Sequence, residues 1–397
     1  MIQDRRLGRA LMLRDTQGVA HNHVVLPIDV VPIVARFTGH ATCEQIARDL
    51  SKEAGETVPV SLVVQLASEL EEALFVEGAP YKRERARIER EFADAAVRPA
   101  SHAGGAYHDD PNKLADYIDQ KCLSAAPASK KEKGRLVALV APHIDPWRGA
   151  ACYGAAYAAF AEALPADADT FILLGTSHAP MREPFALCRK AFATPLGRVD
   201  ADLDAIDSIA AASDFDPYAD QFNHKREHSL EFQAVFLRHV LARDPKRRPP
   251  RIVPILAGLG EQQGSGQSPS RSKPVARFLD AVRKVVDDKG AVVIAGADLA
   301  HVGPRFGDPR PLDAEERTLL DGTDRDSLDR AERVDAEAFW EHVAADLDTR
   351  RVCGLGPMYS LLRVIDPSAK GKVKHYEQTI DPEEGSIVSH AAVGFYL

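Results

Sequence analysis

The 397-residue sequence has few cysteines and no long apolar run. It contains five cysteines, none of them in a CxxC pair, and so sparse a set excludes the disulfide framework of small secreted domains. No apolar stretch approaches the roughly 18 residues that span a bilayer, and the N-terminal MIQDRRLGRALMLRD has arginines on both sides of a very short apolar segment. These absences predict a cytoplasmic protein with reduced thiols that is neither exported nor inserted into a membrane.

An excess of basic charge and the common nucleotide motifs are also missing. Lys and Arg total 50 against 59 Asp and Glu, a formal net charge of −9, which disfavours broad electrostatic capture of nucleic acid or anionic lipid. The sequence has no GxGxxG after a strand, no GxxxxGK[ST] and no GxSxG, so dinucleotide, nucleoside triphosphate and serine-hydrolase mechanisms lack their usual local machinery. The expected partner is a small molecule, a peptide or a protein.

Residues 1–80 have a pattern of their own. A strand-like VVLPIDVVPIV precedes CEQIARDLSKEA, for which Thr42 is a candidate N-cap, and residues 60–75 have the apolar spacing of an amphipathic helix. This order predicts a small winged-helix-like module, loosely similar to the PqqD-like modules that hold peptides or partner proteins, with plain structural packing as the alternative. DNA binding is disfavoured because VSLVVQLASELEEALF has no basic residue.

Residues 81–97 and 98–397 differ from this module and from each other. The alternating charges of KRERARIERE predict a charged helical linker over 81–97. From residue 98 onward, apolar runs such as RLVALVAP, TFILLGTS, RIVPILAG and AVVIAGAD alternate with helical stretches. Runs without polar alternation are typical of strands buried on both faces. The sequence therefore predicts an α/β domain over 98–397, with a mixed, mostly buried β-sheet flanked by helices.

Three histidines follow predicted buried strands. His143, His178 and His301 lie just past VALVAP, ILLGTS and VVIAGA, and ligands of open α/β sheets bind in the crevice outside such strand ends. We therefore expect the three side chains to converge on one metal-binding pocket. Imidazole suits Fe, Zn and Cu, and Cys353 or Asp298 could supply a further ligand. The alternatives are that Cys353 is a small buried hydrophobe and that Asp298 accepts a hydrogen bond from a histidine and fixes its tautomer.

A second polar cluster lies in NHKREHSLEFQAVFLRHVL, at the start of a predicted helix. His228 and Glu231 are three residues apart and can face one pocket from the helix N-terminus. Capping with a solvated first turn is the alternative. The spacing differs from HExxH, so a zinc-protease interpretation has no support.

Together these motifs resemble the Memo family, whose bacterial members are called AmmeMemoRadiSam system protein B. In order and spacing the resemblance covers about three quarters of the chain. The motifs are APH at 141–143, LGTSH at 174–178, ATPLGRVDAD at 193–202, EHSLEFQAVFL at 227–237, IVPILAG at 252–258, ADLAH at 297–301 and VCGLGP at 352–357.

The Memo family is similar in fold to the class III extradiol dioxygenases, whose non-haem iron is held by two histidines and a glutamate. The resemblance implies that His143 and His178 are metal ligands, that Cys353 lies near the place of the glutamate, and that His301 is an acid–base group or a further ligand. It implies Fe(II) first as the metal, with Cu or Zn as alternatives. A thiolate in place of a carboxylate alters the donor set that favours Fe(II) oxygen chemistry.

The chain departs from the family pattern after the first histidine. Members commonly have a glycine and a tyrosine there, whereas this chain has IDPWRG. Trp147 and Arg148 are predicted to contact the substrate, and the guanidinium of Arg148 suits a carboxylate or phosphate.

Two functions remain open at this level. One is a metal-dependent, dioxygenase-like oxidoreductase in which His301, His228 and Glu231 serve catalysis, acting in an AmmeMemoRadiSam-type system with AMMECR1-like and radical-SAM proteins. The other is a non-catalytic adaptor that uses the dioxygenase-like pocket to hold a peptide or a small ligand.

Overall fold

The computed structural model describes residues 2–4, 6–15, 17–126 and 132–397. The chain divides into two compact units, Met1–Ala95 and Ala96–Leu397. The helix that contains most of the predicted linker, Ala79–Asp94, is grouped with the first unit. Within the described ranges, no helix is long and apolar enough to cross a membrane.

The first unit combines a small antiparallel sheet with helices. Its elements are β1 (Ile2–Asp4), β2 (Gly8–Leu13), β3 (Val24–Pro27), α1 (Val31–Val34), α2 (Cys43–Ala54), α3 (Val60–Glu72) and α4 (Ala79–Asp94). β2 lies between β1 and β3. As predicted, Thr42 is the N-cap of α2, in a capping box with Gln45, and the helix ends at Gly55, whose φ of 73° suits glycine. The winged-helix assignment of this region stays a prediction.

The second unit contains the larger α/β arrangement. Its strands are β4 (Val97–Arg98), β5 (Leu136–Ala141), β6 (Thr170–Thr176), β7 (Phe185–Leu187), β8 (Ala191–Phe192), β9 (Asp200–Ala201), β10 (Arg251–Ala257), β11 (Val292–Gly296), β12 (Asp298–Val302), β13 (Lys370–Ile380) and β14 (Ile387–Tyr396). Its α-helices are α5 (Pro111–Tyr117), α6 (Ala150–Ala163), α7 (Leu203–Ala212), α8 (His228–Ala242), α9 (Gly260–Ser265), α10 (Lys273–Lys289), α11 (Ala314–Glu332), α12 (Ala336–Ala344) and α13 (Leu355–Val364). A π-helix spans Ile118–Leu123, and short 3-10 helices span Gln221–Lys225, Pro269–Arg271 and Pro304–Phe306.

In the described part of this unit, nine strands form one mixed sheet. Its main path runs β12-β14-β5-β11-β6-β10-β7, with β13 paired to β14 and β9 to β10. β5, β11, β6 and β10 are parallel to one another, whereas β14 is antiparallel to both β5 and β12, and β7 is antiparallel to β10. Every residue of β6, β11 and β14 is buried. The predicted fold class, a mixed and mostly buried sheet flanked by helices, is confirmed.

Helix α8 approaches the ends of two strands closely because glycines stand there. A Cβ atom on Gly296 would lie 2.2 Å from the Ser229 carbonyl oxygen, and one on Gly175 would lie 2.5 Å from the Ser229 hydroxyl. Both distances are far below van der Waals contact, so only glycine permits this packing. The hydroxyl of Ser229 donates to the Thr176 carbonyl at 2.9 Å, and the Gln233 amide donates to the Pro142 carbonyl at 2.9 Å. The first turn of α8 is thereby held over the strand ends.

Candidate metal centre

The centre lies at the carboxyl ends of β5, β11 and β6, three neighbouring strands of the sheet. β5 and β6 are parallel to β11 and flank it, and His143 and His178 each follow the strand end by two residues. Their ring centroids are 5.2 Å apart. Parallel strands end at one edge of a sheet, which is why two histidines 35 positions apart in the chain meet here.

His143 is buried, and one of its ring nitrogens is already bonded. Nδ1 lies 2.9 Å from the carbonyl oxygen of Gly296, and the backbone N–H donates to Oδ1 of Asp298 at 2.8 Å. A carbonyl can only accept, so Nδ1 carries the proton and Nε2 bears the lone pair. Burial, with the nearby His178, lowers the pKa of His143 to about 4. The ring is therefore neutral at pH 7, the form that binds metals.

His178 is oriented by Glu227. Its Nδ1 lies 3.0 Å and 3.1 Å from the two carboxylate oxygens, and its backbone N–H donates to Oε2 at 2.9 Å. Burial opposes the charged form of His178, but Glu227 outweighs it and raises the pKa of the imidazole. Burial likewise opposes ionisation of Glu227, and His178 and then His228 bring the pKa of that carboxyl well below its usual range. An ionised carboxylate on Nδ1 leaves Nε2 as the free donor atom.

The third donor comes from the segment before α13. The sulfur of Cys353 lies 3.2 Å from Nε2 of His143, and the Cys353 carbonyl accepts from the Thr176 hydroxyl at 2.8 Å. Gly354 makes this approach possible, since a Cβ there would lie 2.2 Å from the Asp298 carbonyl oxygen. Burial, with Asp298 adding to it, raises the pKa of the Cys353 thiol well above its ordinary value. A bound cation would reverse this by favouring the thiolate.

Two overlapping groups in the described residues could hold a metal ion. His143, His178 and Cys353 offer donor atoms that all lie within 4.8 Å of one another, and His178, Glu227 and His228 meet the same criterion. Two imidazoles and a thiol are donors that Fe, Cu and Zn accept. The carboxylate of Glu227 is already engaged with His178 and with the N–H of Ser229 at 2.9 Å. The group His143, His178 and Cys353 is therefore the better candidate for the ion. Glu227 orients the His178 ring of that group.

His228 lies beside the pocket and has a strongly depressed pKa. Its ring stacks on that of His178, with centroids 4.6 Å apart and an interplanar angle of 22°. It also meets the edge of the His143 ring at 5.3 Å. Burial lowers the pKa of His228 to about 3, although Glu227 opposes the shift. His228 is thus placed as a neutral neighbour of both candidate ligand histidines, and its catalytic role stays a prediction.

Glu231 is not in either group and contacts a different part of the chain. Its carboxylate forms a buried ion pair with Arg98 and accepts from the Tyr107 hydroxyl. It also accepts from the backbone N–H of Ser101 at 3.2 Å and of His102 at 2.9 Å. Burial alone would raise the pKa of Glu231, but Arg98 outweighs it and the pKa falls to about 2. These contacts give Glu231 an anchoring role for residues 98–107, and a catalytic role stays a prediction.

Asp298 and His301 lie on β12, next to the pocket. Oδ2 of Asp298 is 3.7 Å from Nε2 of His143, so it lies near the candidate ligand while Oδ1 holds the His143 backbone. His301 is not among the residues of the two groups. Its Nδ1 lies 3.3 Å from the Leu299 carbonyl, its ring meets the edge of Phe306 at 5.0 Å, and burial lowers its pKa to about 4. Ligand or acid–base roles for these two residues stay predictions.

The two predicted substrate contacts lie in the turn after His143. The indole N–H of Trp147 donates to the Gly105 carbonyl at 3.2 Å, and its ring meets the edges of His108 and Tyr117 at 4.6 Å and 4.7 Å. Arg148 is paired with Asp145 at 2.6 Å. Both side chains are more than a third exposed, so a ligand could reach them, and their substrate contacts stay predictions.

Two residues beside the pocket, Glu227 and His102, were not predicted from the sequence. Glu227 is the N-cap of α8, yet its main partner is His178. The Nδ1 atom of His102 lies 3.1 Å from Glu231, and its ring centroid is 5.6 Å from that of His228. The only sequence signal for Glu227 was its place directly before His228, at the N-terminus of a helix.

Comparison with known proteins identifies the family of this chain. The family model described as Memo-like protein matches residues 98–394. This chain belongs to the Memo family. A MEMO1 family protein of Thermus thermophilus is 31% identical over 338 residues, 84% of this chain and 92% of that protein. A MEMO1 family protein of Aquifex aeolicus is 24% identical over 392 residues, 98% of this chain and 96% of that protein.

Members differ in how much of this chain they match. A MEMO1 family protein of Sulfurisphaera tokodaii is 26% identical over 313 residues, which is 75% of this chain but 99% of that protein. The Aquifex relative, by contrast, aligns with nearly the whole chain. Some relatives therefore match nearly the whole chain, whereas others match only about three quarters of it. The unmatched quarter is about as long as the first unit.

Proposed function

We propose that the Memo domain of this chain binds a redox-active metal ion, Fe(II) first, at His143, His178 and Cys353, and that it acts as an oxidoreductase. The observation that carries the proposal is the position of three donor atoms within 4.8 Å of one another. Both histidines have Nδ1 bonded to an acceptor, which leaves Nε2 of each for the metal. When bound, such an ion supplies Lewis-acid and one-electron chemistry that the side chains lack.

The residues around the donors would serve binding and proton movement. Glu227 orients His178, and Asp298 holds the backbone of His143, so the two rings are positioned before a metal arrives. His301 is neutral at pH 7 because burial lowers its pKa to about 4, and its Nδ1 faces the Leu299 carbonyl. We propose that Nε2 of His301 accepts a proton from the substrate. Arg148 and Trp147 would contact the substrate at the rim.

Metal content tests this proposal. Protein purified without oxygen is expected to contain close to one equivalent of iron, measured by mass spectrometry. Copper in its place would also support a redox site, whereas zinc has no redox chemistry and would contradict the oxidoreductase assignment. His143→Ala, His178→Ala and Cys353→Ser are each expected to lower the metal content and any metal-dependent O2 consumption. His40→Ala is the matched control, because His40 is exposed and lies in the first unit. Unchanged metal content in His143→Ala would contradict the proposal.

A second candidate is a non-catalytic binding protein. It is supported by a crevice of about 830 Å³ that borders His178 and is lined by polar and apolar side chains, among them Arg182, Met181 and Phe215. A crevice of this size accommodates a drug-sized molecule or a few residues of a peptide. Metal retention with no turnover of O2, combined with saturable binding of a peptide that Phe215→Ala weakens, would favour this candidate over the enzyme.

We also propose that the protein acts in an AmmeMemoRadiSam-type system with AMMECR1-like and radical-SAM proteins. Its membership of the Memo family supports this. Purified AMMECR1-like and radical-SAM proteins of the same organism are expected to coelute with the full chain in size-exclusion chromatography. Separate elution of all three, with and without metal, would contradict it.

A further inference from the structure

The segment that leads to Cys353 has an unfavourable backbone. Leu347, Asp348 and Arg351 have φ angles of 51°, 66° and 50°, in the left-handed region that L-residues rarely adopt. Such conformations persist where surrounding contacts over-determine them, and they cluster at functional sites. These three residues lie two to six positions before Cys353, so contacts must hold this segment in place.

Arg350 forms the first attachment and is itself buried. Its guanidinium donates to Oδ1 of Asp324 at 3.0 Å and to Oδ2 of Asp346 at 2.6 Å. Asp324, a fully buried residue of α11, accepts in addition from the Ser389 hydroxyl at 2.5 Å and from the Tyr376 hydroxyl at 3.0 Å. One buried carboxylate therefore links the segment to β13 and β14 of the sheet.

Arg351 forms the second attachment on the other side. Its guanidinium donates to the two carboxylate oxygens of Asp308 at 2.5 Å and 3.2 Å, and to the carbonyl of His301 at 3.0 Å. Asp308 also accepts from the backbone N–H of Gly303 at 2.7 Å. This second pair joins the segment to the turn that follows β12.

Backbone hydrogen bonds carry both attachments to the pocket. The N–H of His301 donates to the Arg350 carbonyl at 2.7 Å, and the N–H of Gly354 donates to the Asp298 carbonyl at 3.0 Å. Cys353 lies between these bonds, and its own carbonyl accepts from Thr176 of β6. His143 is bonded to Gly296 of β11 and to Asp298 of β12, so a shift of the segment along β12 would move the sulfur relative to His143.

We propose that the pairs Arg350–Asp324 and Arg351–Asp308, here called the arginine clamp, position the sulfur of Cys353 as the third metal donor. The inference rests on the proposed metal site. Neither arginine can itself be a metal ligand, because a guanidinium has no free lone pair at neutral pH. The clamp acts through the backbone, and its two carboxylates lie on α11 and in the turn after β12, separate from the elements that hold His143 and His178.

The test replaces Fe(II) with Co(II), whose bond to a thiolate gives a charge-transfer absorption that an imidazole ligand does not give. Asp324→Asn and Asp308→Asn break one pair each in the full-length chain. Asp321→Asn is the control, because Asp321 lies on the same helix as Asp324 and forms an ion pair with Arg325 at 2.7 Å on the surface. Cys353→Ser gives the spectrum without a thiolate. The readouts are the charge-transfer absorbance per bound Co(II) and the Kd for Co(II).

Both clamp variants are expected to weaken Co(II) binding by about 10- to 100-fold, the usual effect of removing a group that orients a ligand. They are also expected to lose charge-transfer absorbance per bound ion, which a general loss of stability would not change. Wild-type absorbance and Kd in both variants would overturn the clamp. If Asp324→Asn does not fold, Asp308→Asn decides the result, because the ion pair of Asp308 with Arg351 is partly exposed. A wild-type complex whose spectrum equals that of Cys353→Ser would instead refute the proposed metal site.

Discussion

Two buried carboxylates at the start of α8, the N-cap residue Glu227 and Glu231 in the first turn, have different tasks. Glu227 binds the ring and backbone of His178, at the metal pocket. Glu231 binds Arg98, Tyr107 and the backbone of residues 101 and 102, outside both groups of candidate ligands. The same chemical group is thus a positioning residue in one place and a structural anchor in the other. The partner, a metal-ligand candidate or a buried guanidinium, decides which.

The largest effect is expected from Glu231→Ala. The substitution leaves the guanidinium of Arg98 buried and unpaired, and breaking a buried ion pair in this way costs about 3–5 kcal/mol of folding free energy. Urea denaturation followed by circular dichroism measures it. Asp321→Asn, which breaks an exposed pair, is the control and is expected to change stability little. A Glu231→Ala protein as stable as the wild type would contradict the role of Glu231 as a structural anchor.

Glu227→Gln is expected to affect metal binding more than stability. The amide oxygen can still accept from the N–H of Ser229, but the variant loses the charge next to His178. We expect metal affinity to fall about 10- to 100-fold, as for other groups that orient a ligand histidine. Competition with a chelator measures the affinity, and Glu231→Gln should leave it nearer the wild-type value. Equal loss of affinity in both variants would show that the two carboxylates act as one unit.

Gly296→Ala tests whether both roles depend on the position of α8. The added Cβ would lie 2.2 Å from the Ser229 carbonyl, so the first turn of the helix must move. Overpacking of this kind costs about 1–3 kcal/mol. We expect lower stability together with weaker metal binding, measured by urea denaturation and chelator competition. Gly264→Ala is a suitable control, because nothing lies within 4 Å of a Cβ there. Unchanged metal affinity in Gly296→Ala would show that metal binding does not depend on the position of α8.

The smallest effect is expected from acid. The pKa of Glu231 is about 2 in the folded protein, below its usual value of 4.5, so its contribution to stability is complete above pH 4.5 and is lost as the pH falls toward 2. By linkage, about 1 kcal/mol should be lost by about pH 3.5. Urea denaturation at several pH values measures this. The stability of Glu231→Gln should lack this loss over the same pH range, because the amide does not titrate. An equal acid sensitivity in that variant would assign the effect to other carboxylates.

The fold class and the two histidines followed from the sequence because both depend on local patterns. Buried, non-alternating runs predicted the strands of a mixed sheet, and strand ends placed His143 and His178 together. His301 was expected just past its strand, yet it lies within β12, a short strand that directly follows β11 and pairs with β14. β11 and β12 run in the same direction but have different neighbours, because β11 pairs with β5 and β6 whereas β12 pairs with β14. Periodicity does not reveal such a change of pairing partner.

The sequence left Cys353 and Asp298 as alternative further ligands, and only the family resemblance favoured Cys353, because a lone cysteine has no pattern to mark it. The pairing of Glu227 with His178 and that of Arg98 with Glu231 were not predicted at all. The first pair joins residues 49 positions apart in the sequence, and the second joins residues 133 positions apart. No spacing rule connects residues at such separations.

The sequence by itself determined the strands, the Memo family and the edge of the sheet where histidines gather, since these depend on local composition and on motif order. The tertiary structure alone decided which of two similar carboxylates serves the pocket. Gly175 and Gly296 let α8 lie against the strand ends, and that approach turns Glu227 toward His178 and Glu231 toward Arg98. The physical reason is packing, because the task of a buried charge is set by the group that approaches it in space.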